Sequence, residues 1–156
     1  MNKRIIFLTI VLALLTVCTN AQNNGKKYFK AGNEFVENSK LEDAVVQFTS
    51  AIGLEPSNAD YYYARGKAYE SLFKYNEAKS DFEKTIVFEP KNVDAYISIG
   101  TVCNKMGNFS EALSYLNRAS GLEKRNPKVY PEKIITLIGL KKYDQALRVS
   151  DTAILI

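Results

Sequence analysis

From Asn24 onward the apolar positions follow a helical period, and that period itself recurs. Ala44, Phe48, Ala51 and Ile52 fall at i, i+4, i+7 and i+8, and Ala112, Leu116 and Ala119 repeat the same spacing. Period-two alternation is absent, so strands are not expected and the fold class is all-α. Boundaries between elements are written in as well. Asn24, Asn58 and Asn92 stand where a side-chain oxygen could cap the free N–H groups of a following helix, and Asn126 precedes Pro127, which suits a first helical position. Pro56 and Pro90 stop the preceding helices, because the residue before proline avoids α geometry. Tight turns are expected near Ser39-Lys40, Phe73-Lys74, Gly107-Asn108 and Lys141-Lys142. The pattern therefore predicts eight helices, at about 26–38, 41–54, 60–72, 75–88, 94–106, 109–122, 129–140 and 143–155.

The helices come in pairs that repeat every 34 residues. Ala44, Ala78, Ala112 and Ala146 form one column, and Tyr28, Tyr62, Tyr96 and Tyr130 another. Leu41, Tyr75, Phe109 and Tyr143 share a third, and Gly32, Gly66 and Gly100 a fourth. A glycine lacks the β-carbon that would hold two helices apart, so each Gly is expected to let its helix approach the Ala of the next: Gly32 with Ala44, Gly66 with Ala78, Gly100 with Ala112. The rings of Tyr62, Tyr69 and Phe82 are expected to fill the space on either side.

These columns resemble the tetratricopeptide repeat, which joins an aromatic residue, Leu-Gly and Tyr in one helix to Ala, an aromatic residue, Ala and a terminal Pro in the next. The second repeat carries Tyr62, Gly66, Tyr69, Ala78, Phe82 and Pro90. The first carries Tyr28, Gly32, Phe35, Ala44, Phe48, Ala51 and Pro56, and the third Tyr96, Gly100, Ala112, Leu116 and Ala119. Tyr replaces the family's usual Trp throughout. The fourth repeat departs most: Ile134 stands where Gly is expected, Ser150 where an aromatic is expected, and Pro131 falls inside the first helix. The resemblance implies a four-repeat α-solenoid, a right-handed superhelical stack, with repeats at about 25–58, 59–92, 93–126 and 127–156. It also implies a non-enzymatic protein that holds a peptide segment or protein subunit against the odd-numbered helices, in a scaffolding or assembly role. In that geometry Phe29, Tyr63 and Ile97 would form an apolar column in the groove, with Lys30, Asn33, Lys67 and Thr101 as polar neighbours. A subclass of the family clamps a partner's C-terminal carboxylate with Lys, Asn and Arg. The matching positions here are Phe29, Asn33, Ala64, Asp94 and Ser98; only Asn33 agrees, and Asp94 would repel a carboxylate.

Ahead of the repeats, Asn2-Lys3-Arg4 is a short basic head, Ile5 to Val17 is an unbroken run of apolar residues and Thr, and Thr19-Asn20-Ala21 offers small side chains at a cleavage site. Residues 1–21 therefore read as an export signal, placing the mature chain, 22–156, in the periplasm of a bacterial cell. About 13 helical residues reach only about 20 Å, short of a ~30 Å hydrocarbon core, so a retained span is not expected. Leu15-Thr16-Val17-Cys18 also approximates a lipobox, so a lipid anchor at Cys18, on a structural subunit acting through its outer face and C-terminal end, is the alternative.

The whole chain carries a formal charge of +4 from 21 Lys+Arg and 17 Asp+Glu. Loss of Lys3 and Arg4 with the signal leaves 19 basic residues and a balance of +2, which gives no general pull toward nucleic acid. Cys103 is then alone and is expected to be a buried apolar side chain. With no His, no glycine-rich phosphate loop and no ligand-like spacing of Cys, Asp and Glu, neither catalysis, a metal nor a cofactor is expected. The sequence ends on apolar residues in mid-pattern, so a second copy or another partner is expected to cover the last pair, the alternative being that its degenerate helix lies back on its own repeat.

Overall fold

The computed structural model describes residues 24–154, which form eight helices. In order these are α1 (24–37), α2 (Leu41–Leu54), α3 (Ala59–Ser71), α4 (Tyr75–Phe88), α5 (Val93–Lys105), α6 (Phe109–Leu122), α7 (Val129–Gly139) and α8 (Tyr143–Ile154). Each lies within about two residues of its expected bounds, as ends located from caps and prolines should. The export signal and Cys18 lie outside the described residues. Neighbouring helices pack in sequence, so every even helix is sandwiched between its own odd helix and the next one, until α8.

All four turns inside repeats share one backbone device. Ser39, Phe73, Gly107 and Lys141, each 34 residues after the last, adopt φ of 59°, 60°, 77° and 57°. The following N–H then reaches back to close the helix, Lys40 to Phe35 O at 2.8 Å, Lys74 to Tyr69 O at 2.9 Å, and Asn108 to Cys103 O and Lys142 to Leu137 O at 2.8 Å. This Schellman closure wants glycine, and only the third repeat supplies it. A left-handed side chain costs about 1–2 kcal/mol, partly offset by the roughly 0.5–1 kcal/mol of extra chain entropy that glycine loses on folding. Phe73 is 77% exposed and packs little, so Phe73→Gly should stabilise the protein by about 0.5 kcal/mol, while Gly107→Ala, whose Cβ meets nothing within 4 Å, should destabilise it by a similar amount. Urea titrations of both variants check this; equal midpoints would show that the turns are unstrained.

Turns between repeats use a second device. Glu55, Glu89 and Glu123 accept from the side-chain amides of Asn58, Asn92 and Asn126, whose own oxygens accept from the backbone N–H of Asp60, Ala95 and Lys128. The hydroxyls of Tyr62, Tyr96 and Tyr130 each donate to the carbonyl six residues earlier, on Pro56, Pro90 and Lys124. The tyrosine column thus has a capping role beside the core filling expected of it, which Tyr96 keeps in the third repeat. Tyr28 is exposed and Tyr62 is half-buried against Phe88; the buried ring is Tyr61, 2% exposed, with its hydroxyl on Glu55. Burial and that carboxylate push the Tyr61 phenol up to about 12.

The glycines make room first for large side chains. A Cβ on Gly66 would sit 2.7 Å from the Phe82 ring, on Gly32 2.5 Å from Phe48 and on Gly100 2.6 Å from Leu116, so each glycine admits the large side chain 16 positions on. Ala78 joins Phe82, Ile99, Val102, Cys103 and Ala112 in the central core. Burial pushes the Cys103 thiol up to about 12, with Glu111 adding to the effect, so it is an inert core group as expected. Pro131 causes no break: it is the third residue of α7, where its missing N–H would have no partner within the helix.

Candidate functional site

The odd helices approach one another on one side of the stack. α5 packs directly on α7, whereas no pair of even helices among α2–α8 comes as close, so the array curves toward its odd-helix face. Polar side chains lace that inner face from repeat to repeat. Glu70 is buried and accepts from Lys67 on its own helix and from Lys105 Nζ of α5 at 2.8 Å. Burial alone would raise its carboxyl, but the bonds from Lys105 and Lys67 outweigh burial and hold it below the ordinary carboxylate value.

Beside it the Tyr63 hydroxyl lies 3.4 Å from Ser98 Oγ. Asn104 Nδ2 of α5 donates to Glu132 of α7, at 2.9 Å to Oε2 and 3.1 Å to the carbonyl, and its Oδ1 accepts from Thr136 at 2.8 Å. Lys128 Nζ meets Asp94 Oδ1 at 2.8 Å, and the hydrogen bond raises the Lys128 ammonium above its usual value.

The residues expected to line a groove divide into two groups. Lys30, Asn33 and Lys67 are exposed, with Thr101 half-buried and its hydroxyl turned onto the Ile97 carbonyl. Lys30 lies 3.8 Å from Glu34, an exposed pair of little energetic weight. The apolar column is only partly open. Ile97 is 7% exposed, packed in one cluster with Tyr96, Leu116, Ala119 and Val129. Phe29 stacks on Phe48 and Tyr61 with centroids 5.7 and 4.9 Å away, and Tyr63 packs on Phe82 at 5.5 Å. Ile97 fills the space between helices, while Phe29 and Tyr63 pack there and remain half-exposed, so polar side chains share the inner face with two partly open rings.

Glu70, Asn104 and Lys105 were not among the expected site residues. Their signal was present: Glu70 and Asn104 share one 34-residue column, and Lys105 follows Asn104, one turn beyond Thr101 in the column of Lys67. Among the described residues no group of three or more His, Cys, Asp or Glu could hold a metal ion, and no helix is long and apolar enough to cross a membrane.

Family models described as "TPR repeat" and "Tetratricopeptide repeat" match residues 32–72, and 59–92 and 93–126. No curated protein matches the sequence. Among solved structures the chain is similar to MamA, with a TM-score of 0.81 at 20% identity over 85% of this chain and 77% of that one. It is similar to the Arabidopsis OM64 TPR domain, with a TM-score of 0.71 at 27% identity, over 74% of this chain and 96% of that one. A third is the first TPR of Spaghetti (RPAP3) bound to the HSP90 peptide SRMEEVD, with a TM-score of 0.70 at 23% identity, over 81% and 95% of the two chains.

Proposed function

Because the chain is a solenoid of tetratricopeptide repeats, we propose that it is a non-enzymatic interaction module whose inner, odd-helix face holds a peptide segment or a subunit of a larger assembly. The observation that carries this reading is the polar ladder of Glu70, Lys105, Asn104 and Glu132. It holds three successive odd helices in register, with Lys67 exposed on Glu70 at its edge and Lys30 and Asn33 exposed beside it. A face built this way offers hydrogen bonds and charges to an extended backbone. The Spaghetti neighbour is bound to an HSP90 peptide, which supports a peptide-holding role for such an array, but the partner here differs in kind. Asp94 is occupied by Lys128, and Ser98 is buried, so the carboxylate-clamp positions are not available to a C-terminal acid.

The basic head and apolar run of residues 2–17 favour export, with the module working in the periplasm as a scaffold. Leu15 to Cys18 favours a second version in which the same module is tethered to the membrane by lipid. Mass measurement of the N-terminus of the chain made in a bacterial cell separates these: cleavage before Gln22, a lipidated Cys18, or an unprocessed Met1, which would remove both.

The test of the face itself uses photo-crosslinking residues placed one at a time at Asn33 and Lys67 on the odd helices, and at Ser80 and Ser114 on the exposed side of even helices. The expected result is one partner captured from the first pair and not from the second. Capture confined to Ser80 and Ser114 would overturn the inner-face reading. Truncating Phe29 or Tyr63 would not decide the matter, because both rings hold helices together.

A further inference from the structure

We infer that the open face of the fourth repeat is a two-fold self-association surface, in which α8 of one copy lies antiparallel against α8 of a second. Each earlier even helix is covered by the next odd helix, through Tyr61 and Ala68, Ala95 and Val102, or Val129 and Thr136, all of them buried. Among the described residues nothing covers α8. Ile134 and Ile138 of α7, with Tyr143, Ala146, Leu147 and Ser150 of α8, leave an apolar groove of about 300 Å³, and Leu147 is 65% exposed.

The opposite end of the stack cannot fill that groove. In α1 the covering columns hold Lys27 and Glu34, both exposed, so head-to-tail stacking would push two charges into an apolar socket. The face instead complements itself. Asp144, Arg148 and Asp151 run at i, i+4 and i+7 along one flank of α8, with Lys141 just before it; all four are exposed, and none forms an ion pair among the described residues.

In an antiparallel two-fold pair, like flanks meet. An axis near Ala146 brings Lys141 against Asp151 and Asp144 against Arg148 of the other copy. Every charge on the flank then meets its opposite, and Leu147 enters the second groove beside the small Ala146. A parallel two-fold pairing would instead leave the two charged flanks on opposite sides of the pair, with no charge on the flank meeting its opposite.

The test is sedimentation of the full chain, purified as the producing cell makes it, with helicity checked by circular dichroism. The chain should dimerise, and Arg148→Glu or Asp144→Arg alone should weaken the dimer by about tenfold or more, since each places like charges at two symmetric contacts. The double exchange, Asp144→Arg with Arg148→Glu, should restore it. A chain that stays monomeric up to about 1 mM overturns the inference, as does a dimer indifferent to the single changes or not rescued by the double one.

Discussion

Asp81→Ala is expected to cost about 3–5 kcal/mol, because it leaves the Arg65 guanidinium without the anion that makes its burial tolerable. Asp81 is 4% exposed and receives two parallel bonds from Arg65, Nε and Nη2 each at 2.8 Å, while the guanidinium lies between the rings of Tyr62 and Tyr69 at 5.8 Å from both centroids. The Asp81 hydrogen bonds, working against desolvation, hold the guanidinium's proton more firmly than usual. Arg65 Nη1 also donates to Thr49 on α2 at 2.9 Å, so one side chain ties α3 to α4 and to the preceding repeat. Damage should therefore start locally. In a stack stabilised by neighbour contacts, hydrogen exchange is expected to rise in α2 to α4 before α6 and α7 respond. Arg65→Lys should fall between the wild type and Asp81→Ala, because an ammonium keeps the charge and loses the two-pronged geometry. Thermal and denaturant unfolding with exchange readout checks both. A loss under about 1 kcal/mol for Asp81→Ala would mean that water replaces the carboxylate and the site is not buried in solution.

That ion pair also marks where the sequence was opaque. Arg65 and Asp81 are 16 residues apart on different helices, and their columns elsewhere hold Ala31, Ile99 and Lys133, and Gln47, Tyr115 and Val149. A feature present in one repeat leaves no periodic trace. Whatever recurs could be read: the helices, the turns at Ser39, Phe73, Gly107 and Lys141, and the caps at Asn58 and Asn92 follow from columns whose backbone role repeats, whereas α7 starts at Val129, three residues after Asn126. Side-chain direction within a column was less legible. Tyr61, Tyr62 and Tyr63 point three ways from one helix, and their order along the chain does not say which one meets the core. The same ambiguity placed Phe29, Tyr63 and Ile97 in an open groove. Of these, Ile97 is enclosed among Tyr96, Leu116, Ala119 and Val129, whereas Phe29 and Tyr63 keep part of their rings exposed while packing on Phe48, Tyr61 and Phe82.

Phe82→Ala should cost about 3–5 kcal/mol, and part of that loss should return when Gly66 is enlarged in the same chain. The reason lies in how the fourth repeat solves the same packing problem. In the first three, a glycine on the odd helix faces a large side chain on the even helix: Gly32 with Phe48, Gly66 with Phe82, Gly100 with Leu116. In the fourth the sizes are exchanged, Ile134 on α7 and Ser150 on α8, and both line the same apolar groove. What reads along the chain as two departures from a pattern is a single compensated change, with the bulk moved across the interface. Gly66→Ile alone should overpack, since even a Cβ there lies 2.7 Å from the Phe82 ring, at a cost of about 1–3 kcal/mol or more. Combined with Phe82→Ala, the same isoleucine enters the space that the ring vacates. The two changes should then cost less together than the sum of the separate losses, with a coupling of about 1–3 kcal/mol in a double-mutant cycle. Full additivity would mean that the two positions do not share one volume, and that Ile134 and Ser150 are unrelated substitutions.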